Sequence, residues 1–372
     1  MRALILTITT GQGHNQVARN LSRCLREKGV ETLGMDVFEY ISSGLKEIVS
    51  QGYLMSTKRL PKVYGKAYRM AEKREPEGKV LKITSSIMAR KLVSFLDEFM
   101  PDVIICTHVF AAMLITSIKK KLDKDVKSVG IVTDFTVHPY WEETELDYYI
   151  TATDLLNNQA IKKGISEEKI LPFGIPIDEK FARKTEKSLA RSSLGFEDKN
   201  TILVMSGSMG YGKIARMIKQ IDELNLDFQM ITVCGHNTKL KKQIDKGEFR
   251  HTVYNFGFSD KVDLFMDAAD CIVTKPGGLT TSEALAKGLP IIMANPIPGQ
   301  EDRNVEFLLN NGAALKVSST FPVDEAIYQI FKNTERLDGL RKMTRVLGRG
   351  ESVKRFTEFI LELDENNKPE EG

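Results

Sequence analysis

A chain of 372 residues is longer than most single domains, so two α/β domains of ordinary size are the first expectation. A hydrophobic share of 42% and a charged share of 28% exclude a disordered chain and suit a soluble globular protein with two cores. A net charge of +3 is too small for a dedicated binder of nucleic acid, so charge distribution matters more than its total.

In chain order, the opening run Met1 to Thr10 reads as a buried strand, because its apolar stretch is too short for a targeting segment and leads straight into Gly11-Gln12-Gly13-His14. Further short runs rich in β-branched residues follow at Val103 to Thr107, Val129 to Thr133 and Tyr148 to Thr151. A second series falls at Thr201 to Met205, Gln229 to Val233, Cys271 to Thr274 and Pro290 to Ala294. Longer amphipathic segments separate them, which is the pattern of βαβ units around parallel sheets. Turn chemistry between Phe173 and Asn200 marks the junction. The expected division is a first Rossmann-like domain over 1–180, a second Rossmann-like domain over 181–340, a helical segment over 341–365 packing back toward the first domain, and a frayed tail over 366–372. No stretch approaches eighteen uninterrupted apolar residues, so no bilayer-spanning helix is expected. Cys24, Cys106, Cys234 and Cys271 are scattered singly, which argues against a zinc or redox pair and suits a reducing cytosol.

Four constellations could carry chemistry. Gly11-Gln12-Gly13-His14 lies between the first strand and a helix expected over Asn15 to Lys28. Glycines there allow close backbone approach, and His14 stands at the carboxyl edge of the sheet where ligands of open α/β folds bind. The second is Thr133-Asp134-Phe135 with His138 and Trp141. Asp134 could be a plain cap or turn residue, but a carboxylate, an imidazole and the only tryptophan in one loop also suit an acceptor hydroxyl site. The third, Ser206-Gly207-Ser208-Met209-Gly210-Tyr211-Gly212, forms a cradle of amides and hydroxyls suited to phosphates, although it is no Walker loop. The fourth and most specific is Lys275-Pro276-Gly277-Gly278-Leu279-Thr280-Thr281-Ser282-Glu283, followed by Gln300-Glu301-Asp302-Arg303-Asn304. Thr280 or Thr281 is expected to cap a helix carrying Glu283 in its first turn.

The segment Gly44 to Ser94 holds twelve lysines and arginines, among them Lys58, Arg59, Lys62 and Lys66, against four glutamates, with tyrosines and aliphatic residues interleaved. It reads either as a solvated basic face or as a dock for an anionic bilayer, where each cation contributes about 1 kcal/mol. Asp123 and Asp125 sit among lysines and read as solvated charge, not as a metal-binding pair.

On these motifs the chain resembles glycosyltransferase family 28, in the branch of monogalactosyldiacylglycerol synthase and processive diacylglycerol glucosyltransferases. The resemblance covers nearly the whole chain. It implies the GT-B fold, an α/β architecture of two Rossmann-like parallel-sheet domains facing a cleft, and inverting, metal-independent transfer of a hexose from UDP-glucose or UDP-galactose to 1,2-diacylglycerol, with no cofactor. It further implies that Ser208 meets the diphosphate, with Gly278 and Thr280 near the phosphates, and that the main chain at Phe258 and Ser259 meets the uracil. Glu283 would bind the ribose, and Gln300, Glu301 and Asn304 the sugar. His14 becomes the candidate base or leaving-group stabiliser with Asp134 as competitor or partner, while Gly11, Gly13, His138 and Trp141 would line the acceptor site. The implied setting is cytoplasmic, peripheral on the inner face of an anionic membrane, with no nucleic acid partner. Transfer to another lipid-linked acceptor such as a peptidoglycan precursor, epimerisation of a UDP-sugar, and regulatory sugar-nucleotide binding remain as alternatives.

Overall fold

A computed structural model describes residues 1–9, 12–41, 85–119, 122, 126–205, 207, 212–299 and 301–365. The described strands form two six-stranded sheets in which every pairing is parallel. The chain divides into two compact units, residues 1–178 with 298–300 and 351–372, and residues 179–297 with 301–350.

The first unit contains β1 (Arg2–Thr7), β2 (Glu31–Asp36), β3 (Val103–Cys106), β4 (Lys127–Ile131), β5 (Tyr148–Ile150) and β6 (Ile170–Leu171). Their order is β2-β1-β3-β4-β5-β6, so the chain moves outward from β1 to β2 and then returns to the other side of β1. The central strands are buried on both faces, as Leu4, Ile5, Leu6, Ile104 and Ile105 show. Continuous apolar runs are what such strands require. The helix Gln12–Glu27 turns Val17, Leu21, Cys24 and Leu25 inward at helical spacing. The last helix, Ser352–Glu365, packs on that first helix. The Ile177 N–H donates to Ser352 Oγ at 3.2 Å, and Phe359 meets the rings of Tyr148 and Phe173 at 4.9 and 5.8 Å.

The second unit contains β7 (Thr201–Met205), β8 (Gln229–Val233), β9 (Val253–Phe256), β10 (Cys271–Thr274), β11 (Ile291–Met293) and β12 (Ala314–Lys316). The order β12-β11-β10-β7-β8-β9 reverses direction between β7 and β10. In open parallel sheets the crevice beyond the carboxyl ends of the strands at such a reversal is where ligands bind. In the first sheet the equivalent reversal lies between β1 and β3. The opposite, amino-terminal end of the second sheet is held by charge. Asp270 accepts from Arg191 at 2.8 Å and from the Thr201 N–H at 2.8 Å, and pairs with Lys187 at 2.5 Å and Arg341 at 3.2 Å. Nearby, Lys287 and Asp267 form a 2.6 Å ion pair with side chains only 1% exposed. The helix Thr334–Leu347 abuts the helix Gly278–Lys287, and a Cβ on Gly348 would fall 2.5 Å from the Leu285 carbonyl oxygen.

Candidate active site

Three loops meet at the carboxyl ends of β1, β3 and β4. The helix after β1 begins at Gln12, so Gly13 and His14 lie in its first turn and not in the loop before it, as the sequence had suggested. A polar network fixes that entry. Thr7 Oγ1 donates to Asn15 Oδ1 at 2.9 Å, Asn15 Nδ2 donates to Thr9 Oγ1 at 3.0 Å, and the Thr9 N–H donates to Asp36 Oδ2 at 2.8 Å. A Cβ on Gly13 would meet nothing within 4 Å, so the packing of this unit does not itself demand glycine there. Gly11 lies outside the described residues, as do Ser208, Gln300, Asp123, Asp125, Lys58, Arg59, Lys62 and Lys66.

His14 is bound by its Nδ1, which lies 2.7 Å from the Thr107 carbonyl oxygen and 3.2 Å from Thr133 Oγ1. A carbonyl can only accept, so Nδ1 carries the proton and the lone pair of the neutral ring resides on Nε2. Burial lowers the His14 pKa below the ordinary histidine value, opposed by the Thr107 hydrogen bond and the charge of Asp134. The site thus holds a neutral imidazole with one nitrogen committed and the other basic, beside a carboxylate able to stabilise the imidazolium.

His108 stands next to it, and sequence reasoning had passed it over. Its ring lies 4.6 Å from that of His14, edge to face, and 5.3 Å from that of Phe110 in a stack. Phe110 meets Tyr140 at 5.7 Å, and Tyr140 meets His138 at 4.8 Å. The available signal was the position of Thr107-His108 after β3, the strand beside β1 at the reversal. His138 accepts from the Tyr140 N–H through Nδ1 at 3.2 Å and caps the short helical turn Pro139–Glu143. Trp141 takes a different place from the one expected. It is 4% exposed and packs against Gly130, where a Cβ would come within 2.7 Å of its ring, and against Tyr149 at 6.0 Å. An indole is the largest apolar side chain, and here it fills the core beneath the loop.

In the second unit the helix Gly278–Lys287 has Gly277 as its N-cap, with extended backbone and no side-chain cap. This corrects the expected arrangement. The Pro276-Gly277 turn starts the helix early, leaving Thr281 wholly buried in the next turn and Glu283, half-buried, beyond the first turn. An uncapped helix start presents free amides and a partial positive charge to an anion. Thr280 and Gly278 are half-buried in this same turn. Glu301 and Asn304 are both buried, at 4% and 0% exposure. Glu301 pairs with Lys275 through Oε1 and accepts from the Ile297 N–H at 2.8 Å through Oε2. Asn304 Nδ2 donates to the Pro276 carbonyl at 2.9 Å. Both side chains therefore brace the Lys275-Pro276-Gly277 turn, beside which the resemblance had placed the sugar.

Gly212 shows why glycine recurs after β7. Its φ is +105°, and a Cβ would come within 2.9 Å of Asn295 Nδ2, at the end of β11. Beyond β8 and β9, the exposed ring of Phe258 stacks on His236 at 4.7 Å and 14°. Ser259 Oγ accepts from the Lys261 N–H at 3.1 Å. Phe258 and Ser259 border an open pocket of about 580 Å³ shared with Leu194, Phe256, Lys261 and Phe265.

The family model of monogalactosyldiacylglycerol (MGDG) synthase matches residues 14–177, and that of the glycosyltransferase family 28 C-terminal domain matches residues 201–356. The chain is 30% identical over 338 residues to a processive diacylglycerol beta-glucosyltransferase of Bacillus mycoides, covering 88% of this chain and 86% of that one. It is 28% identical over 374 residues to the protein of the same description from Bacillus pumilus, covering 99% and 97%. Among solved structures, Acinetobacter baumannii MurG superposes with a TM-score of 0.62 at 13% identity, covering 97% of this chain and 99% of that one, a likeness that concerns the GT-B fold alone. The protein is a glycosyltransferase of GT-B fold, and it belongs to glycosyltransferase family 28, in the branch of monogalactosyldiacylglycerol synthase and the processive diacylglycerol glucosyltransferases.

Proposed function

We propose that the protein transfers glucose from UDP-glucose to the hydroxyl of diacylglycerol in a single, metal-independent displacement that inverts the anomeric carbon. The observation that carries this reading is the Nδ1–H of His14 committed to the Thr107 carbonyl at 2.7 Å, which leaves Nε2 as a base. In the transfer, the acceptor hydroxyl gives its proton to Nε2 while its oxygen forms the new bond to the anomeric carbon. The bond to UDP breaks with its electron pair leaving on the β-phosphate. Asp134 stabilises the imidazolium so formed. The uncapped start of the helix Gly278–Lys287 offers amides to the departing phosphate charge, with Ser208 assigned to the diphosphate, the main chain at Phe258 and Ser259 to the uracil and Glu283 to the ribose.

Inversion is supported by the relatives' description as beta-glucosyltransferases, because the donor is α-linked. The same description supports glucose over galactose and diacylglycerol over other acceptors. Among the described residues no helix is long and apolar enough to cross a membrane. The acceptor would then be reached from the bilayer surface, with the basic segment Gly44 to Ser94 as the dock on the inner face. The test is incubation of the full chain with vesicles containing diacylglycerol and either radiolabelled UDP-glucose or UDP-galactose. Label entering the organic phase from UDP-glucose, and lost in His14→Ala, is the expected result. Turnover with all label remaining in the aqueous phase would favour a UDP-sugar epimerase and overturn the proposal.

A further inference from the structure

Both contacts that orient His14 from the β3 side arise from one turn. The Thr107 carbonyl accepts from Nδ1, and the next residue, His108, places its ring 4.6 Å away and 68° from parallel. That turn is rigid. The Thr107 N–H donates to the Leu6 carbonyl at 2.9 Å, and the His108 carbonyl accepts from the Ala111 and Ala112 N–H groups at 3.0 and 3.2 Å to begin the helix Val109–Lys119. The His108 ring is itself held, because Nδ1 accepts from the Phe110 N–H at 3.2 Å, one of the first-turn donors that a helix cannot satisfy internally. Phe110 stacks on the same ring. An imidazole whose Nδ1 accepts is neutral with its proton on Nε2.

We propose that His108 is a positioning residue for the base, a neutral ring wedged between His14 and Phe110 that keeps His14 in a single tautomer and shields its flank from water. This rests on the reading of His14 as the base. Among the described residues, the groups facing His14 are the Thr107 carbonyl, the Thr133 hydroxyl, the Asp134 carboxylate and His108, and the charge of His138 acts on His108 in turn. Burial, reinforced by the charges that His14 and His138 can carry, holds the His108 pKa well below the ordinary value. It therefore remains neutral when His14 takes up the acceptor's proton, and two adjacent cations never form. A hydrocarbon side chain could fill the space, but it could not cap the Phe110 amide.

The test is long-range ¹⁵N NMR titration of His14 in the full-length wild type, His108→Ala and His108→Phe, with kcat and KM measured on the same preparations. Opening the flank in His108→Ala should rehydrate His14, raise its pKa toward the ordinary value, move the acidic limb of kcat/KM upward and populate the second tautomer. A base released from its orientation should lower kcat by about tenfold to a hundredfold, with KM for the UDP-sugar changed by no more than about twofold. His108→Phe keeps the ring contact and should hold the titration of His14 near that of the wild type. An unchanged pKa and tautomer of His14 in His108→Ala would overturn the proposal, as would a shift in His108→Phe as large as in His108→Ala. Full turnover in His14→Ala would instead remove the base assignment, a failure distinct from that of the ring contact.

Discussion

Replacing Asn304 by alanine should destabilise the second unit and weaken donor binding together. The side chain is fully buried and its amide donates to the Pro276 carbonyl at 2.9 Å, so truncation leaves a carbonyl without that donor and a small void beside it. An orphaned buried acceptor costs about 1 to 3 kcal/mol, and incomplete collapse of the void brings the expected total to about 2 to 4 kcal/mol. For a unit of this size roughly 2 to 4 °C of Tm accompanies each kcal/mol, which predicts a fall of roughly 4 to 16 °C by scanning calorimetry. The Pro276-Gly277 turn leads directly into the uncapped helix start, so UDP affinity measured by titration calorimetry should fall by about tenfold, or about 1.4 kcal/mol. Asn304→Asp, similar in shape but unable to donate to a carbonyl, should behave like the alanine variant. A variant with unaltered Tm and unaltered UDP affinity, but weaker binding of UDP-glucose alone, would refute the bracing argument in favour of a direct sugar contact.

His14→Ala should lower kcat by about a hundredfold or more with UDP binding nearly intact, and Asp134→Asn should also lower kcat; wild-type turnover in either removes that residue from the proton transfer. Glu283→Ala should weaken UDP binding by about 1 to 3 kcal/mol through the lost ribose contact, and unchanged affinity in calorimetry would sink that assignment. Lys287→Met leaves Asp267 buried without its cation and should cost about 3 to 5 kcal/mol in denaturant unfolding, whereas adding Asp267→Leu should recover part of that loss; a double variant no more stable than the single would contradict the account. Changing Lys58, Arg59, Lys62 and Lys66 to Glu should reduce sedimentation with anionic vesicles and transfer to vesicle diacylglycerol without affecting UDP binding. Sedimentation of the wild type that is equal on neutral vesicles and insensitive to salt would show the segment to be only a solvated face, since screening shortens to about 3 Å at 1 M.

The interior of both sheets was legible in the residues themselves. All eight strands read from apolar runs, β1, β3, β4, β5, β7, β8, β10 and β11, are interior strands, and the four that were missed, β2, β6, β9 and β12, are the four sheet edges. A parallel strand flanked on both sides is covered on both faces and must be continuously apolar, whereas an edge strand need not be. β2, with Glu31, Leu33 and Gly34 exposed, and β9, half-buried throughout, carry no such run. The glycine turn at Gly212 was likewise visible, because backbone with positive φ that passes close to a neighbour such as Asn295 restricts residue type locally. Tertiary structure decided which polar and aromatic side chains hold distant segments together. Nothing local tells that Asn304 is tied to Pro276 across 28 positions, or that Trp141 fills the space left by Gly130. His108 stands 94 positions from His14 and has no motif of its own. Only the pairing of β1 with β3 brings the two rings together, because sheet order, unlike strand composition, is set by contacts between segments far apart in the chain.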